Sequence, residues 1–159
     1  MAAEMMQALD SIATKARTAL TAAGHAAIAD HAAQRCAWLE ACGYPGISQL
    51  QDALADVETD AVLEKDALGL DLKGVSCVFI ATKVEGLVRT HGRLFLRNVR
   101  HGLYLLPGSV TGNYGIGCPV DPGFPLGGER GKNPYVEKLE IAARDGIEVD
   151  VALWQSLSE

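Results

Sequence analysis

The stretch Arg-Thr-His-Gly-Arg-Leu-Phe-Leu-Arg from 89 to 97 sets Arg89, His91, Arg93 and Arg97 at even spacings. On an extended strand these four would share one face, with Thr90, Leu94 and Leu96 on the other. A guanidinium is a planar, permanently charged fork that matches carboxylate or phosphate, so three of them together would clamp an acidic metabolite. Cys118 lies in a glycine- and proline-rich stretch nearby, with Asn113, Tyr114, Asp121, Arg130 and Lys132 supplying donors, an acid and bases around it. A thiolate nucleophile at Cys118 would need a base. No histidine lies within the stretch, so His91 or His101 would have to reach it through the fold.

That stretch, residues 107 to 134, holds eight of the seventeen glycines and five of the six prolines. Glycine permits positive φ and close backbone approach, which lets successive N–H groups converge on an anion. Proline restricts the unfolded chain and so favours an ordered loop. We therefore expect an ordered, ligand-facing loop. The nucleotide fingerprints are absent: Gly112, Gly115 and Gly117 have the wrong intervals for a dinucleotide turn. In the P-loop-like Gly127 to Asn133, Leu126 stands where the first glycine is required and Asn133 where a magnesium-binding hydroxyl is required.

The elements that must position these groups follow from the apolar pattern. Met5, Leu9, Ile12, Ala16 and Leu20 predict an amphipathic helix over 4–22, ended by Gly24. Ile28, Ala32, Ala33, Cys36 and Leu39 predict a second helix over 26–42, ended by Gly43, and the two form a helical hairpin. Ser48 followed by Asp52 and the Leu50, Leu54, Val57 series predict a third, shorter helix, then a helical turn at 62–68. Nineteen of the twenty-three alanines precede residue 70, which lets these helices pack closely. From Gly74 the run Val-Ser-Cys-Val-Phe-Ile-Ala-Thr-Lys is apolar on both alternating faces, the pattern of a strand covered on two sides. Residues 87–98 and 102–107 are expected as its partners, although Phe95, Val99 and Leu103 also fit a helical face. Asn133-Pro134 opens a helix that ends at Gly146, and Asp150 caps a last turn. The fold class is α+β: an N-terminal helical hairpin plus short helices packed on a small, mainly antiparallel sheet, with a C-terminal helix. One domain over 1–159 is expected, helical to about 70, with sheet, loop and C-terminal helix in 71–159.

Composition narrows the function. Residues 1–70 carry ten acids and four bases, and 71–140 carry six acids and nine bases. A nucleic-acid binder shows a basic face over much of the domain, so DNA and RNA are excluded as partners. Between Lys83 and Arg100 five bases face one acid, which suits a small anion. No apolar run spans a bilayer, and the N-terminus, with Glu4 and Asp10, is no secretory signal, so a cytoplasmic protein is expected. Cys36, Cys42, Cys77 and Cys118 are expected as reduced thiols. His25 and His31, six apart, make no metal pair, and neither metal nor cofactor is expected.

Two segments resemble a known family. Residues 19–50, AlaLeuThrAlaAlaGlyHis through GlyIleSerGlnLeu, are similar to the N-terminal helical hairpin of the non-Rossmann malate and L-lactate dehydrogenases, and 128–157 to their closing segment. The resemblance implies 2-hydroxy-acid chemistry. That family places Ser-His-Gly after the second helix, where this chain has Gly43-Tyr44-Pro45-Gly46-Ile47-Ser48, and its nucleotide-binding middle has no counterpart here. As a whole the chain looks like members of a small bacterial family of unknown function. The leading expectation is a domain binding a small anionic metabolite through Arg89, Arg93, Arg97 and the 107–134 loop. The alternatives are an enzyme, through Cys118 or as a divergent dehydrogenase relative, and a homodimeric structural protein.

Overall fold

The structure, a computed structural model, describes residues 4–92, 94–112 and 135–157. These fold as two compact units, one of residues 4–55 with 135–157 and the other of residues 56–92 with 94–112. Helices accompany two small sheets, so the fold is α+β.

The first unit is built on α1 (Leu9–Ala22) and α2 (Ala26–Ala41). Ile12, Ala16, Ala19 and Leu20 of α1 are buried, as are Ala29, Ala32, Ala33, Cys36, Ala37 and Leu39 of α2. Alanines on both buried faces let the hairpin close tightly. Each helix ends in a left-handed glycine. Gly24 at φ 93° turns the chain so that the His25 N–H reaches the Leu20 carbonyl at 2.8 Å, and Gly43 at φ 87° does the same for Tyr44 and Leu39 at 2.8 Å. Next comes α3 (Gly46–Leu54), burying Ile47, Leu50 and Ala53. Its first residue must be glycine, because a Cβ at Gly46 would stand 2.6 Å from the Cys36 carbonyl oxygen.

Residues 4–22 were expected as one helix. Instead β1 (Glu4–Gln7) leaves the helix and pairs antiparallel with β5 (Ile147–Asp150), Met5 opposite Val149 and Gln7 opposite Ile147. The partner lies some 140 residues away, so local periodicity carries no trace of it. Val149 and Ile147 point into the core while Glu148 between them is exposed, the period of two that fixes the register. Before β5 runs α6 (Tyr135–Asp145), the expected C-terminal helix, with Tyr135 and Ala142 buried and Gly146 ending it at φ 82°. The final helix α7 (Val151–Ser156) starts at Asp150, whose carboxylate accepts the Leu153 N–H at 2.9 Å.

In the second unit β2 (Lys65–Asp66) pairs antiparallel with β3 (Gly69–Asp71), and β3 pairs parallel with β4 (Leu96–Arg97). The turn expected as helical at 62–68 is thus part of a hairpin. A parallel pair requires a crossover, which is α4 (Cys77–His91). This corrects the strand expected from Gly74 to Lys83: Cys77, Val78, Phe79, Ile80, Ala81, Val84 and Val88 are buried around most of a helix, and such a run is apolar at any period. After β4 a 3₁₀ turn (Gly102–Leu105) continues into α5 (Leu106–Gly112), where a strand was expected. Leu70, Leu72, Leu94, Leu96, Tyr104 and Leu105 form the core of this unit. No helix among the described residues is long and apolar enough to cross a membrane.

Candidate functional site

Among the described residues Arg89, His91 and Arg97 do not share the expected strand face. Arg89 and His91 lie in the last turn of α4, where cations complement the negative end of the helix, and Arg97 lies on β4. Gly92 at φ 81° ends α4 between them. Arg93, Asn113, Tyr114, Cys118, Asp121, Arg130 and Lys132 lie outside the described residues.

The bases between 83 and 100 meet acids of the same unit. Lys83 Nζ donates to Asp60 at 2.6 Å and to the Ala61 carbonyl at 3.0 Å. Arg100 forks onto Asp56, Nε at 3.1 Å and Nη2 at 2.8 Å, the bidentate geometry that carboxylates favour. Arg97 Nη2 donates to Asp66. Three segments of acid and base, far apart in sequence, therefore neutralise each other. Among its described residues this unit carries seven acids and six bases, so the local excess read from the sequence vanishes in the fold.

The aspartates are held ionised by their surroundings. The Lys83 ammonium keeps the Asp60 carboxyl below the usual carboxylate range. Asp66 is lowered first by the Leu68 N–H, which its Oδ1 accepts at 2.8 Å, and also by Arg97. Asp71 is lowered by Asn98, whose amide donates at 2.9 Å, and by the Lys73 N–H at 2.8 Å.

Arg97 stands apart from the other cations. Its Nη2 is engaged, but its Nε is buried and has no hydrogen-bond acceptor among the described residues. A buried donor left unmatched costs about 1–3 kcal/mol, so a guanidinium in this state invites an oxygen acceptor.

A second arrangement, which the sequence reading did not single out, joins Ser76 to His101. Ser76 is fully buried, precedes α4, and its Oγ accepts the Val78 N–H at 3.2 Å while lying 2.6 Å from His101 Nδ1. A serine before an apolar run was the available signal, but as a cap rather than a nucleophile. The first N–H groups of α4 are occupied, Cys77 by the Arg100 carbonyl at 2.9 Å and Phe79 by the Ser76 carbonyl at 3.1 Å, so nothing there can hold an oxyanion. The pair is a structural lock.

Among the described residues no three His, Cys, Asp or Glu side chains gather as a metal site. Cys36, Cys42 and Cys77 are buried thiols outside any disulfide, and burial pushes the Cys42 thiol up to about 11. Neither a protein-family model, nor a curated protein, nor a solved structure matches the chain.

Proposed function

We propose that the protein binds a small anionic metabolite, and that Arg97 is the group that engages it. The observation supporting this reading is the buried Nε of Arg97, unmatched among the described residues, on a guanidinium whose Nη2 is paired with Asp66. Its partner Asp66 is half exposed. An exposed ion pair contributes about 0–1 kcal/mol, whereas a bidentate anion on a guanidinium supplies two charge-assisted bonds. An incoming carboxylate or phosphate therefore outcompetes Asp66 at modest cost, since the Leu68 N–H still satisfies the released aspartate. Exposed Arg89 on the adjoining helix end, together with Arg93 and the glycine- and proline-rich residues 107–134 with Asn113, Tyr114, Cys118, Asp121, Arg130 and Lys132, are the sequence features that favour the same reading.

Calorimetric titration with dicarboxylates, inorganic phosphate and sugar phosphates tests it. Heat with at least one class, abolished in Arg97→Gln, is expected. Asp66→Asn frees the guanidinium and tightens binding by up to about fivefold. No heat from any class at millimolar concentration overturns the reading.

A further inference from the structure

The first unit contains a cleft between α1, α2 and α6 that no sequence motif announced. Its volume is about 120 Å³, a little below the roughly 150 Å³ that accommodates a benzene ring. Ala13, Ala37 and Leu139 make its apolar lining, Trp38 adds an indole, and Asp10 and Gln34 add the polar groups.

The chemistry of these groups points one way. Asp10 lies in the first turn of α1, where the helix field favours a carboxylate. It is exposed, and among the described residues it makes no ion pair or hydrogen bond. Trp38 is half-buried and packs one side against Tyr135 at 5.0 Å between ring centroids. The other tryptophan, Trp154, already carries Lys15 over its ring at 4.7 Å, whereas no cation of the described residues covers Trp38. An aromatic face and a carboxylate around a small apolar hollow attract an ammonium with a short hydrocarbon body. Charge agrees, because this unit carries ten acids and five bases among its described residues.

We infer that the cleft formed by Asp10, Gln34, Trp38 and Leu139 is a binding site for a small organic cation, an aliphatic primary amine of about four or five carbons. The ammonium pairs with Asp10 and the Gln34 carbonyl oxygen, and the hydrocarbon lies against Trp38, Ala37 and Leu139. This site is independent of the anion reading of the other unit.

The full-length protein titrated with n-butylamine, and with n-butanol as a neutral counterpart of the same size, tests the inference by ¹H–¹⁵N spectra. Saturable shifts at the Trp38 indole N–H and the Ala13 and Ala37 amides are expected for the amine, with binding at least about fivefold weaker for the alcohol. Asp10→Asn should reduce amine affinity to that of the alcohol while the spectrum elsewhere stays unchanged. Trp38→Phe should weaken it less. Non-saturating shifts, equal response to amine and alcohol, or undiminished binding by Asp10→Asn would each overturn the site.

Discussion

The Ser76 hydroxyl lies 2.6 Å from Nδ1 of His101 and also accepts the Val78 N–H, so one buried oxygen both caps α4 and ties it to the turn beyond β4. The oxygen accepts from the amide and shares a hydrogen bond with the imidazole nitrogen, whose direction follows the imidazole tautomer. His101 holds this position at φ 57° and ψ 46°, a conformation that costs a non-glycine residue about 1–2 kcal/mol. The bond helps to offset that strain.

Ser76→Ala should therefore destabilise the protein by about 1–3 kcal/mol, combining a lost cap with an abandoned imidazole nitrogen. His101→Gly should cost less, because it removes the partner and the strain together. Urea unfolding followed by far-UV circular dichroism measures both. A serine variant within about 0.5 kcal/mol of the parent would show that the lock contributes nothing.

Gly69 sets a sharper steric limit. Its φ is +116°, and a Cβ there would stand 2.1 Å from the Phe95 carbonyl oxygen, the acceptor of the Leu70 N–H at 2.9 Å. Gly69→Ala must distort the β3–β4 pairing and is expected to cost about 2–4 kcal/mol. Gly74→Ala is its control in the same unit. There φ is +74° with nothing within 4 Å, so the loss should be only about 1 kcal/mol. Thermal midpoints of the two variants check the ranking, and equal losses would remove close approach as the reason for Gly69.

What the sequence disclosed depended on how local the cause was. The helices of the hairpin were legible because Gly24 and Gly43 stop them through bonds three to five residues long. Asp150 was legible as a cap for the same reason. The strand β1 was not, since its pairing with residues 147–150 is chosen by the distant partner. α4 was misread because burial on most sides removes the polar stripe that distinguishes a helix from a buried strand. The arginine site depended on that misreading, and its charge excess ignored Asp56, Asp60 and Asp66, which only the fold brings to Arg100, Lys83 and Arg97.

Thiol chemistry separates the cysteines. Cys36 and Cys77 are fully buried, and burial holds the Cys42 thiol near 11, so at pH 8 these three present almost no accessible thiolate. Iodoacetamide on the native protein should leave all three unmodified over a period that labels them completely in urea, as read by peptide mass spectrometry. Any fast native labelling is then assigned to Cys118. Rapid modification of Cys42 would contradict its burial.

Glu40 gives a pH dependence of definite sign. Burial raises its carboxyl, partly opposed by the Ile47 N–H, which donates to Oε1 at 3.0 Å and covers the start of α3. Its folded value lies above the unfolded one, so the folded state binds the proton more tightly and stability falls as pH rises through the window just above the ordinary glutamate range. Glu40→Gln keeps an oxygen for Ile47 and removes the buried charge. It should be more stable than the parent at pH 7 and match it at pH 3, where both are neutral. Glu40→Ala abandons the Ile47 N–H and should lose about 1–2 kcal/mol at pH 7. Urea midpoints at the two pH values decide the matter: a glutamine variant less stable than the parent at pH 7 would mean that the carboxylate stabilises α3 more than its burial costs.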